Sequence, residues 1–283
     1  MSNTAMVKWL RSDGKTFIAD GTDWGITKIT GIGNVTPEQF TENRAQGDGS
    51  IITGRRVAQR EHGYTIQNNN TNLNEIMRKV AIAFFNPKYT YKVYLTYQDV
   101  SRWIDAELLL ATVPSENVYH AIEIDIAMLS PDVYWKSMDE FGKDIAGIDA
   151  RYGWPQYDIA GKGFLYSAFN FAKTVLIEND GDVDCYCKAV IEATDKVVNP
   201  RLEHGNSTVR ILDTMLSKDT YVIDILAKTV HKNGVNALAK IDRTSDFVGM
   251  AFKPGDNIIS FGADTGENSL KVTLYFNKLY LGV

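Results

Sequence analysis

An alternation of apolar and polar residues with a period of two runs through the 283-residue chain and restricts its fold more than any other feature. In Lys88–Gln98, Tyr89, Tyr91, Val93, Leu95 and Tyr97 lie on one face, opposite Lys88, Lys92 and Gln98. Side chains on a strand point alternately to its two faces, so this pattern predicts a half-buried strand. Ala121–Met128 repeats it with Ile122, Ile124, Ile126 and Met128, and Ser269–Asn277 with Leu270, Val272, Leu274 and Phe276. Val183–Ala193, Thr220–Ala227 and Asn257–Phe261 read as further strands. Asn233-Gly234 is a two-residue hairpin signal, because both residues tolerate the positive φ that such turns need. Pro254-Gly255-Asp256-Asn257 marks another turn. The expected class is mostly β.

One segment departs from it. In Asn72–Phe85 the apolar residues Leu73, Ile76, Met77, Val80, Ala81 and Phe84 fall at helical spacing. Asn72 with Glu75 three residues on makes a capping box, and Asn86-Pro87 ends the helix. One helix over 72–85, docked on sheet, is therefore expected. Residues 136–173 are rich in glycine and aromatics without a clean period, which predicts a packed connector. The domains expected are 1–135, with the helix, and 174–283, joined by 136–173.

Composition excludes several function classes. No apolar run approaches the roughly 18 residues of a membrane-spanning helix, so no membrane association is expected. Met1–Asp20 lacks the apolar segment of a secretory signal. The formal charge is −5, against the basic balance usual for phosphate-binding domains, so no sequence-specific nucleic acid is expected. The only two cysteines, Cys185 and Cys187, lie two apart on one strand face, where bridging would strain the backbone; a disulfide scaffold and a structural zinc site are excluded.

A search for catalytic patterns finds none. His62, His120, His204 and His231 stand in no metal-ligand or catalytic spacing. Gly31-Ile-Gly33-Asn-Val-Thr36 puts threonine where a dinucleotide fingerprint needs its third glycine. Asp180-Gly-Asp182-Val-Asp184 opens like a calcium loop, but the places of its glycine and glutamate hold Cys185 and Ile191. No catalytic residue, cofactor or metal is assigned. Arg55, Arg56 and Arg60 form the one basic cluster. The polar, glycine-rich segment ahead of it can extend toward a neighbour, which makes Gly47, Asp48, Gly49, Ser50, Arg55, Arg56 and Arg60 the candidate assembly interface.

The ordered motifs go further. Gly47-Asp-Gly-Ser-Ile-Ile-Thr-Gly-Arg-Arg-Val-Ala-Gln-Arg60 leads through an alternating strand to the helix and Asn86-Pro87. Later come Glu178-Asn-Asp-Gly-Asp-Val183, Val198-Asn-Pro-Arg201, Val222-Ile-Asp224, Asn233-Gly234, Pro254-Gly-Asp-Asn257, the strand Leu270–Phe276 and Tyr280. In this order, over nearly the whole chain, they resemble the siphophage distal tail protein family of tail hubs. The resemblance implies an N-terminal β-sandwich with one helix and a C-terminal galectin-like or jelly-roll sandwich. It also implies a non-enzymatic homo-hexameric ring, single or stacked in two, at the tail tip of the virion, made in the host bacterial cytoplasm. The ring would join the tail tube protein to a tail-tip or tail-associated lysin-type protein and to receptor-binding or baseplate proteins, leaving a channel for DNA. A second expectation, from another class, is a carbohydrate-binding module in which Tyr186, Tyr221, Tyr275 and Tyr280 stack on host-wall glycans.

Overall fold

The structure, a computed structural model, describes residues 5–33, 37–69, 74–113, 122–138, 141–150, 167–170 and 174–283. It divides into two compact units, 1–138 with 279–283, and 139–278.

The first unit opens with β1 (Met6–Arg11), β2 (Thr16–Ala19), β3 (Trp24–Thr30), β4 (Glu38–Asn43), β5 (Ser50–Arg56) and β6 (Arg60–Asn68). Helix α1 (Asn74–Phe84) follows, then β7 (Thr90–Tyr97), β8 (Val100–Thr112), β9 (Glu123–Ser130) and β10 (Trp135–Ser137). The main sheet runs β2-β1-β7-β8-β9-β6-β3, with β10 paired to β8, and every pairing is antiparallel. Its alternation is the one read from sequence: Tyr91, Val93 and Leu95 of β7 and Ile124, Ile126 and Met128 of β9 are buried.

Edge-to-face aromatic contacts fill this core. Trp9 meets Tyr64 at 5.3 Å and Phe85 at 5.4 Å between ring centroids, the separation such pairs prefer. The helix contributes Ala81 and Phe84, with Phe85 just beyond it. Its expected cap Asn72 and Leu73 lie outside the described residues, as do the side chains of Ile76 and Met77. Val80, placed by the helical spacing on the inward stripe, is 51% exposed. Tyr91 holds the helix's C-terminal end instead, its hydroxyl donating to the Phe84 carbonyl at 3.0 Å.

The second unit comprises β11 (Phe141–Ala150), β12 (Ser167–Asn170), β13 (Thr174–Asn179), β14 (Lys188–Ala193), β15 (Val197–Val198), β16 (Arg201–His204) and β17 (Ser207–Arg210). It continues with β18 (Thr214–Met215), β19 (Thr220–Asp224), β20 (Thr229–Lys232), β21 (Val235–Asn236), β22 (Gly255–Gly262) and β23 (Leu270–Phe276). One sheet orders β12-β11-β23-β14-β19-β20-β21 and the other β13-β22-β16-β17, an arrangement of sandwich type. Their inward residues are buried, among them Ile191, Val272 and Leu274 from the first and Leu202, Val209 and Ile259 from the second. Asn233 and Gly234 take φ of 50° and 82° in the β20–β21 turn, as their dipeptide predicts.

The 136–173 stretch differs from the connector expected of it. Residues 136–137 pair with β8 in the first unit, and β11 pairs with β23 in the second unit's larger sheet. A register shift between Asp144 and Ala146 breaks the β11 pattern, and a bulge of this kind is what hides a strand from a period-two reading. After β23 the chain returns to the first unit, where β24 (Leu279–Tyr280) pairs with β10.

Candidate assembly surface

Strands β4 and β5 stand apart from the nine-stranded sheet and pair only with each other. All six residues of β4 are exposed, and so are all of β5 except half-buried Gly54. The tip is a turn in which Gly47 and Gly49 adopt φ of 99° and 95°, and the Arg44 N–H donates to the Gly49 carbonyl at 3.2 Å. Along the arm the Thr53 hydroxyl donates to the Phe40 carbonyl at 3.2 Å. Arg56 donates to the Glu38 carboxylate at 2.7 Å while its guanidinium lies 5.4 Å from the Phe40 ring.

The arm carries three large apolar side chains into solvent: Phe40 at 46%, Ile51 at 55% and Ile52 at 47% exposed. A lone two-stranded hairpin is marginally stable in water, and its exposed ion pair contributes little. Such an arm gains most from a surface that covers it.

The structure brings Gly47, Asp48, Gly49, Ser50, Arg55 and Arg56 together on this arm and separates Arg60 from them. Arg60 is 2% exposed and lies on β6, whose alternation turns Arg60, His62, Tyr64 and Ile66 all inward. Its guanidinium donates to the carbonyls of Val133 at 2.7 Å, Gly31 at 2.8 Å, Gly33 at 2.7 Å and Leu281 at 2.5 Å. Those acceptors are all backbone, which compensates a buried cation with charge-assisted bonds. Beside it, His62 shares a hydrogen bond with the Ser130 hydroxyl at 2.9 Å, and burial together with the Arg60 charge pushes its imidazole down to about 3.

In the second unit, Asp213 accepts from the Tyr221 hydroxyl at 2.6 Å, Lys240 at 2.7 Å and Lys232 at 2.9 Å. Burial pushes that carboxyl up, but the three donors outweigh it and hold it well below the usual range. Burial likewise pushes the thiols of Cys185 and Cys187, both free, up to about 12. The Asp180–Asp184 segment is a turn organised by Asn179, which accepts from the Gly181 N–H at 3.0 Å and donates to the carbonyls of Val183 and Phe252.

Of the four tyrosines expected to stack on glycans, Tyr275 is exposed, at 36%. Tyr221 is fully buried against Asp213, and Tyr186 and Tyr280 are half-buried. The Tyr280 ring is covered by the Arg102 guanidinium at 3.5 Å. Tyrosine content alone says nothing of exposure, and here the Tyr221 hydroxyl and the Tyr280 ring serve the fold. Among the described residues no three His, Cys, Asp or Glu side chains converge as a metal site, and no helix is long and apolar enough to cross a membrane. His120 lies outside the described residues.

Comparison with known proteins finds counterparts for the architecture. Residues 180–280 match the siphovirus-type tail component, C-terminal domain. The crystal structure of the SPP1 Dit protein, described as a paradigm of the hub adsorption apparatus in phages infecting Gram-positive bacteria, superposes over 96% of this chain and 98% of its own. Its TM-score is 0.68 at 12% identity. Two structures of the phage P2 baseplate in its activated conformation also match, both at 10% identity. The calcium form has a TM-score of 0.50 over 98% of each chain, and the strontium form 0.51 over 97% of this chain and 98% of its own. No curated protein matches the chain by sequence. The tail-hub resemblance read from the motif order is thus borne out, and the mostly β fold with it.

Proposed function

We propose that this tail component is the structural hub at the distal end of a long, non-contractile phage or prophage tail. The observation that carries the reading is the correspondence of fold with the SPP1 Dit protein along nearly the whole of both chains. The exposed arm, Glu38–Arg56, supplies the contact between copies: six copies associate head-to-tail through it and close into a ring. Heterologous contacts close into rings when the rotation between copies allows it. Gly47 and Gly49 shape its tip, Asp48 and Ser50 border it, and Arg55 and Arg56 lie near its base beside the exposed apolar residues, whereas Arg60 serves the fold of the unit that carries it.

In this role the protein catalyses no reaction and needs no cofactor. It joins the tail tube protein to the tail-tip or lysin-type protein and to the receptor-binding or baseplate components, all within the virion after synthesis in the host cytoplasm. A ring of six would carry a formal charge of about −30, from −5 per chain, so DNA in a central channel is repelled more than held. Light scattering on the size-exclusion peak tests the reading. Six or twelve copies of the 31.6 kDa chain are expected, and a monomer at every concentration would overturn it.

A further inference from the structure

Leu279–Val283 is held by the first unit at every step. Trp135 and Lys136 of β10 pair with Tyr280 and Leu279, extending the first unit's sheet by one strand. The Tyr280 ring lies under Arg102, and the Leu281 carbonyl accepts from buried Arg60. The Gly282 carbonyl accepts from Arg102, and the Val283 N–H donates to the Ile32 carbonyl at 3.0 Å. Gly282 itself runs so close to the 31–33 turn that a Cβ there would lie 3.1 Å from the Ile32 oxygen and 3.3 Å from Gly33. Five residues therefore complete a sheet, supply one of the four acceptors of a buried cation and pin a turn. All of these partners lie in residues 31–137, and the whole second unit, 139–278, intervenes in the chain.

We propose that Leu279–Val283 is a latch that licenses the first unit for assembly. Until these residues arrive, β10 has an open edge, Arg60 keeps three of its four carbonyls and the 31–33 turn is free on one side. The arm's strand β4 begins just past that turn, at Glu38. At bacterial synthesis rates of roughly 5–20 residues per second, the second unit keeps the latch away for about ten seconds. An incomplete chain thus cannot enter a ring. This consequence rests on the assignment of the arm as the contact between copies; the completion of the first unit by the latch does not.

Hydrogen exchange and light scattering on the intact chain, a chain ending at Lys278 and Gly282→Val test the proposal together. In the shortened chain, amides of β10 and of residues 31–33 are expected to exchange at least tenfold faster, with those of β14, β19 and β23 unchanged, and the oligomer is expected to give way to monomer. Gly282→Val keeps the full length but crowds its side chain against the backbone of the 31–33 turn, and is expected to show the same selective acceleration. It decides the matter if the shortened chain unfolds throughout. Unchanged exchange at β10 and 31–33 in Gly282→Val overturns the latch. A shortened chain that assembles like the intact one overturns the licensing role. An intact chain that stays monomeric overturns the arm assignment instead, while the exchange comparison still reports on the latch.

Discussion

His62 makes the stability of the first unit depend on pH. The imidazole is 2% exposed, its Nε2 shares a hydrogen bond with Ser130, and Nδ1 has no partner among the described residues. Protonation would place a second buried cation beside Arg60, so the folded-state pKa falls from 6.5 to about 3. A base held neutral in the fold binds its proton first in the unfolded chain. Its contribution is therefore fully present above pH 6.5 and is lost as pH falls toward 3. At about 1.4 kcal/mol per unit, this one group removes about 2 kcal/mol of stability between pH 7 and pH 5. Asp13, whose bond from Arg11 holds it at about 2, titrates below that window. Four of the five tryptophans, Trp9, Trp24, Trp103 and Trp135, lie in the first unit, so urea unfolding followed by tryptophan fluorescence reports on it. The expected result is a loss of about 2 kcal/mol from pH 7 to pH 5 in the parent chain and a nearly flat profile in His62→Gln. A His62→Gln profile as steep as the parent's would refute the reasoning.

Four further outcomes follow from particular contacts. Gly31→Ala places a Cβ 2.1 Å from the Glu61 carbonyl oxygen at φ of 73°, so a loss above about 3 kcal/mol is expected in the same urea assay. Gly234→Val, at φ of 82° but in open space, should cost only about 1 kcal/mol. Asp213→Asn removes the charge that Lys232 and Lys240 share and should destabilise the second unit by about 1–3 kcal/mol, seen by calorimetry as a shift of one transition. Phe40→Asp with Ile51→Asp changes two exposed arm residues. The monomer's unfolding should move by less than about 0.5 kcal/mol, while sedimentation shows the oligomer lost.

Local periodicity made most of the strands legible, because a sheet with one buried face writes itself as alternation. Tyr91, Val93 and Leu95, or Ile124, Ile126 and Met128, could be placed inward from spacing alone. The helix was legible in Ala81 and Phe84 but not in Val80, since a helical stripe has a width that only the packing partner fixes. Arg60 shows a signal present but passed over. Its nearness in sequence to Arg55 and Arg56 suggests one basic cluster, yet the alternation that buries Tyr64 and Ile66 also buries Arg60 and His62. The arm's glycines and charges stand out in the sequence, whereas its exposed apolar residues Phe40, Ile51 and Ile52 carry no local signal. The strand in the 136–173 stretch was hidden by the Asp144–Ala146 register shift. The return of Leu279–Val283 to β10 was hidden by chain separation, since a pairing more than a hundred residues distant leaves no local pattern.

The ring proposed for this chain is built from its arm-bearing unit. Light scattering coupled to size-exclusion, with negative-stain images of the same peak, tests it most directly. The account predicts particles of six or twelve copies of the 31.6 kDa chain around an open centre. Monomers across the whole concentration range, with no ring in the images, would contradict it.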